Sequence, residues 1–101
     1  MRDGVDFEGE FGVITDAVPM GCTRAQAAGH IRLLVLIHDR SLRRIAPVEM
    51  KTGFCWVQAK PACSVASIAV MPDELGLARR DGCVQMHPQV DWNGQRFGLR
   101  F

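Results

Sequence analysis

No charge of one sign dominates this sequence, and no long hydrophobic run interrupts it. The 101 residues carry 12 Lys+Arg against 11 Asp+Glu, a formal net charge of +1. That balance excludes an acidic solvating tail and a basic nucleic-acid arm, and no low-complexity linker is present. The longest apolar run, Leu33 to Ile37, is far too short to cross a bilayer. Met1 to Gly4 hold no apolar stretch, so no secretory signal is expected, and neither membrane nor nucleic acid is an expected partner. The cysteines (Cys22, Cys55, Cys63 and Cys83) form no CxxC pair and no zinc-like spacing with histidine. They are expected to be reduced and packed as small hydrophobes in a cytoplasmic protein. Walker lysine loops, GxGxxG, GxSxG and HExxH are all missing. A chain of this length is one domain with a modest core, which a second copy or a complementing segment is expected to complete.

What is present is unevenly placed. Residues 1–22 hold five acids against Arg2, a balance of −4. Residues 23–60 hold seven bases against Asp39 and Glu49, a balance of +5. Two readings fit: mutual neutralisation in the fold, or a cation site facing an anionic-ligand site.

Val5 to Thr15 alternates with period 2, Val5, Phe7, Phe11 and Val13 on one face and Asp6, Glu8 and Glu10 on the other, which predicts a half-buried strand. Pro19 to Cys22 breaks the chain, and Thr23 to Gln26 fits a capping box opening a short helix to Ala28, closed by Gly29. Ile31 to His38 reads as a strand covered on both sides and ending at Asp39. Ser41 to Ile45 turns before Pro47 ends it. Gly53 to Lys60 and Ser67 to Met71 read as short strands, and Pro72 to Gly76 as a turn. Val84 to Trp92 alternates, and Asn93-Gly94 then predicts a type I′ hairpin with Gln95 to Gly98. Pro88 puts that strand at an edge or bulge. The class is β-rich α+β.

Three places offer chemistry. Glu8 and Glu10 project from one strand face about 6–7 Å apart at the backbone, either as a solvated face or as ligands of a shared hard cation. Asp39, after an apolar strand, is either a site carboxylate near a strand's carboxyl end or an Asx-turn acid for the Ser41 segment. Lys60 is either an anion holder or a snorkelling surface lysine. His38 points away from Asp39 if the strand continues, so the two form no dyad. His30 and His87 carry weaker signals, and Arg40, Arg43 and Arg44 read as a solvated face.

Taken in order, these pieces resemble the fumarylacetoacetate hydrolase family, in its catalytic, C-terminal-type domain. Val5-Asp6-Phe7-Glu8-Gly9-Glu10-Phe11 is similar to the family's acidic strand. Ala27-Ala28-Gly29-His30-Ile31 precedes the apolar strand, and His38-Asp39-Arg40-Ser41 stands against the usual Asn-Asp-x-Ser. Lys60 follows a Gly53-Phe54 stretch, and Asp91-Trp92-Asn93-Gly94-Gln95 resembles the later hairpin.

The resemblance implies one partial domain over residues 1–101, a β-rich mixed sheet forming an incomplete β-roll. It implies Glu8, Glu10 and Asp39 as ligands of Mg²⁺ or Ca²⁺, with Mn²⁺ a further option. Lys60 would contact a substrate oxygen, and Ser64 stands where a family hydroxyl lies near the site. Family members hydrolyse carbon–carbon bonds in acylpyruvate-like 1,3-diketo acids, a chemistry of aromatic catabolism, and some relatives decarboxylate or isomerise oxo acids. The family's fourth metal carboxylate and its catalytic histidine lie upstream of the acidic strand, and its assisting glutamate lies after the hairpin. The expectation is therefore an internal piece of a hydrolase, active only when other segments or chains complete it. The alternative is a non-catalytic, β-rich metal- or partner-binding module.

Overall fold

The structure, a computed structural model, describes residues 4–53 and 56–97. Strand β1 (Val5–Thr15) pairs antiparallel with β2 (Ile31–Leu42), which pairs antiparallel with β3 (Ser64–Val70). Helix α1 (Arg24–Ala28) lies between β1 and β2, and α2 (Ala46–Lys51) follows β2. A 3₁₀ segment (Pro72–Ala78) leads to two hairpins, β4 (Arg79–Arg80) with β5 (Cys83–Val84) and β6 (Val90–Trp92) with β7 (Gln95–Phe97). Every strand pairing among the described residues is antiparallel, which corrects the expected mixed sheet. The reason is local. Residues 16–30 hold only a five-residue helix and return the chain beside β1, whereas parallel neighbours need a crossover passing over the sheet.

Local chemistry explains the elements that follow the expected pattern. Thr23 Oγ1 accepts from the Gln26 amide at 3.3 Å, and Gln26 Oε1 accepts from the Thr23 amide at 2.8 Å. This capping box offsets the low intrinsic stability of so short a helix. Asn93 and Gly94 take φ of 50° and 75°, the left-handed pair that a type I′ turn requires. Asp81 and Gly82, at 53° and 80°, build a second such turn that the sequence reading passed over.

Other elements depart from it. Strand β2 continues to Leu42, because Val5–Glu8 of β1 supply ladder partners for Asp39–Leu42; Asp39 therefore lies within the strand rather than at its end. Leu36 is 54% exposed, so β2 is not covered on both faces. Pro47 opens α2 rather than stopping a turn, since an early helical position needs no amide donor. No strand forms over residues 56–60, and Phe54 and Cys55 of that expected strand lie outside the described residues. The expected strand from Val84 to Trp92 is broken around Pro88, which has no amide for a ladder. Gly98, expected to close the last strand, lies outside the described residues.

The two faces of the sheet differ. On one, Phe7 meets Phe97 (ring centroids 5.2 Å apart), and Trp92 meets Phe97 at 6.0 Å. Gly9 allows this approach, because a Cβ there would stand 3.3 Å from Val90 Cγ2. The other face carries Asp6, Glu8 and Glu10. The core is thin: among the described residues, Leu34, Val35, Ala46 and Ala59 are the buried apolar ones. Accessible surface is 8315 Å², against about 5,700 Å² for a folded monomer of this mass. The radius of gyration is 16.5 Å, against about 13 Å. Cys63 and Cys83 are exposed and Cys22 is half-buried, so the expected packing of cysteines as core hydrophobes fails for the first two. No helix among the described residues is long and apolar enough to cross a membrane.

Candidate functional site

Antiparallel register places Glu8 directly opposite Asp39, and Glu10 two residues along on the same face. One ligand oxygen from each of Glu8, Glu10 and Asp39 lies within 4.8 Å of the others. The Lys60 ammonium pairs with Asp39 Oδ2, the two side chains retaining 32% and 21% of their exposure. The Trp56 ring lies beside them, its centroid 5.5 Å from Lys60 Nζ and 5.8 Å from the Arg43 guanidinium carbon. Arg43 donates through Nε to Asp6 Oδ2 at 2.7 Å and through Nη2 to Glu8 Oε1 at 3.3 Å.

These contacts set the ionisation. The hydrogen bond from Lys60 holds the Asp39 carboxyl below the ordinary carboxylate range, outweighing partial desolvation. Reciprocally, the Asp39 hydrogen bond raises Lys60, with further attraction from Glu8 and Glu10. Arg43 holds Asp6 down in the same way. Lys60 is thus a firm ammonium, suited to holding an anionic oxygen and unsuited to accepting a proton. Counting the described residues in mutual contact, four carboxylates (Asp6, Glu8, Glu10, Asp39) face two cations (Arg43, Lys60), which leaves −2.

That donor set can be tested against a hard cation. Oxygens on one Ca²⁺ stand at most about 4.6–5.2 Å apart, and on Mg²⁺ about 4.0–4.2 Å, twice the respective metal–oxygen distances. The carboxylates, within 4.8 Å of one another, are close enough to be drawn onto one hard cation by side-chain movement.

Of the residues singled out in the sequence, Glu8, Glu10, Asp39 and Lys60 come together. Ser64 does not. It pairs in register with His38, and its Oγ accepts from Arg40 Nη2 at 2.7 Å. His38 packs edge-on against the Phe7 ring at 5.4 Å, away from Asp39. His30 Nδ1 is 2.5 Å from Asp16 Oδ1 beyond the far end of the hairpin. His87 lines an apolar groove with Phe11, Leu34 and Met86. Arg43, Trp56 and Glu49 were missed. The position of Arg43 just past the β2 strand, opposite the start of β1, was the available signal, and it depends on knowing where β2 ends.

The family model described as fumarylacetoacetate (FAA) hydrolase C-terminal matches residues 1–95. The chain belongs to this family. The match spans β1 through the β6–β7 turn and includes every residue of the cluster. A search of the curated proteins found no match. Members of the FAA hydrolase family are generally enzymes and typically depend on a divalent metal, and this chain holds a cluster of three converging carboxylates.

Proposed function

We propose that this chain supplies the cation- and lysine-bearing part of a hydrolase that cleaves carbon–carbon bonds in acylpyruvate-like 1,3-diketo acids. The observation that carries the proposal is the convergence of Glu8, Glu10 and Asp39 beside Lys60, with two negative charges left over. Glu8, Glu10 and Asp39 would hold Mg²⁺, Ca²⁺ or Mn²⁺. A bound hard cation draws charge from a chelated diketone and so favours attack at its carbonyl. Lys60 holds the oxygen on which enolate charge develops, and does so as a fixed ammonium in a partly desolvated place. The Trp56 ring lies within cation–π distance of both Lys60 and Arg43. Ser64, bonded to Arg40, is given no role in this proposal.

No histidine among the described residues is hydrogen-bonded to a cluster carboxylate, since His30 pairs with Asp16 and His38 packs on Phe7, and a positioned acid–base group contributes roughly 10²–10⁴-fold. A second segment or a second copy would therefore supply the base. The surplus of accessible surface supports such a partner, within which the sheet would form part of the family's β-roll as one partial domain, residues 1–101. That no histidine among the described residues is bonded to the cluster also favours a second reading, a non-catalytic metal- or partner-binding module. A cytoplasmic setting goes with either, where Cys22, Cys63 and Cys83, unbridged in the structure, stay reduced.

The test combines calorimetry with a spectrophotometric assay. The chain should bind Mg²⁺, Mn²⁺ or Ca²⁺ weakly and turn over fumarylacetoacetate or a simpler acylpyruvate at no enzymatic rate alone. Turnover that disappears in both Lys60→Ala and Asp39→Asn would show a complete site and remove the need for an added base. No binding of any divalent ion would overturn the proposal.

A further inference from the structure

Lys60 reaches Asp39 from a segment with no ladder of its own, and something else must hold that segment in place. Glu49, half-buried on α2, does so. Its Oε2 accepts from the amides of Val57 at 3.0 Å and Ala59 at 2.9 Å, and its Oε1 from the amide of Gln58 at 2.7 Å. Three consecutive amides thus converge on one carboxylate, an arrangement that a neutral strand neighbour does not provide. The same amides hold the Glu49 carboxyl below its ordinary range, with Gln58 the largest contributor. Ala59 is fully buried, and its carbonyl accepts from the Leu42 amide at 2.7 Å, which ties the segment to the end of β2 three residues past Asp39. The residues on either side of the clamped triplet are Trp56 and Lys60, the two that reach the cluster.

We propose that Glu49 is a positioning residue of the site: it clamps residues 57–59 and so aims the Lys60 ammonium at Asp39 with the Trp56 ring beside it. The proposal rests on reading the acidic cluster as the functional site, and its test separates the two. The full chain is compared with Glu49→Ala, Glu49→Gln, Lys60→Met and the Glu49→Ala/Lys60→Met pair. All are made in a Trp92→Phe background, so that Trp56 alone reports fluorescence.

Amide exchange of Val57, Gln58 and Ala59 should accelerate by about tenfold or more in Glu49→Ala, relative to β2 amides, and by less in Glu49→Gln, which keeps one acceptor oxygen. Trp56 emission should shift in Glu49→Ala, and by more when Lys60 is present than in the Lys60→Met background. Mn²⁺ affinity supplies a second readout. Lys60→Met frees Asp39 and should tighten Mn²⁺; Glu49→Ala should do the same alone and add nothing to Lys60→Met. A merely structural glutamate would change both readouts equally in either background, and that result overturns the proposal. Unchanged exchange at residues 57–59 overturns it as well. If no protein binds Mn²⁺, the metal reading falls, while exchange and Trp56 emission still decide the role of Glu49.

Discussion

The two ends of the β1–β2 ladder carry the same ingredients in different proportion. At one end, Asp16 meets His30 and the guanidinium of Arg32, whose Nε lies 2.7 Å from Asp16 Oδ2. One carboxylate there faces two potential cations, and no negative charge is left over. At the other end, among the described residues, Asp6, Glu8, Glu10 and Asp39 face only Arg43 and Lys60. Both ends are ion-pair clusters, and geometry alone does not distinguish them. The difference is the surplus: like charges held by a ladder within 4.8 Å repel unless a further cation arrives. The fold supplies the work of holding them, because cross-strand register and period-2 alternation put Glu8, Glu10 and Asp39 on one face whatever their charge.

Removing the surplus is the strongest way to break the comparison. Glu8→Gln with Glu10→Gln brings the four-acid end from −2 to zero and takes two of three candidate ligands. Divalent affinity by calorimetry should fall by more than about a hundredfold, beyond the roughly 10–100-fold that loss of an outer hydrogen-bond partner costs. Asp16→Asn should leave that affinity unchanged. Equal effects from the two changes would mean that bulk charge, and not the ladder's convergence, attracts the ion.

The ladder that joins the two ends can be strained separately. A Cβ on Gly12 would stand 2.4 Å from Ile37 Cδ1 and 3.1 Å from Val35 Cγ1. Gly12→Ala forces Ile37, the register partner of Glu10, out of its place. Denaturant unfolding should show a loss of about 1–3 kcal/mol, the usual range for overpacking. Thermal or urea midpoints unaltered by this change would mean that Ile37 relaxes freely into the thin core.

Arg43→Met sharpens the comparison in the opposite direction. It raises the surplus from −2 to −3 and releases Glu8. An exposed ion pair is worth up to about 1 kcal/mol, so Mn²⁺ should bind up to about fivefold tighter at low salt, and the gain should shrink as salt screens it. Weaker binding would reveal that Arg43 orients Glu8 toward the ion rather than competing for it.

How much of this was legible beforehand follows from the range of each interaction. The Thr23–Gln26 capping box, the Asn93-Gly94 turn and the facing of Glu8 and Glu10 depend on residues within three positions of each other, and they are as the pattern suggested. Asp39 and Lys60 were legible as chemistry, and their meeting was expected only through family resemblance. What was not legible depends on partners far apart in sequence. Residues 57–59 read as strand because Val57 and Ala59 are apolar, yet a carboxylate eight to ten residues back takes their amides. Arg43 read as solvated because the Gly4–Glu8 segment that meets it is 35 or more residues upstream. Ser64 was placed by family order alone, and its register opposite His38 carries it away from the acids.

The smallest expected effect lies at the satisfied end and is visible only as a function of pH. The hydrogen bonds of His30 and then Arg32 lower the Asp16 carboxyl below its ordinary value. A carboxyl whose folded pKa lies below its unfolded value, near 3.9, adds stability that is present above about pH 4. That contribution is lost as pH falls through the folded value. Asp16→Asn cannot ionise and lacks the contribution at every pH. The variant should therefore unfold at slightly lower denaturant than the parent near neutrality, and the gap should close progressively as pH falls below about 4. Because Asp16 and Arg32 are partly exposed, with 39% and 60% of their side-chain surface accessible, molar salt should narrow the gap too. A gap that persists unchanged to pH 2 would mean that Asp16 acts through packing of the β1–β2 connection, and the contrast between a satisfied and a surplus-bearing end would then rest on the acidic cluster alone.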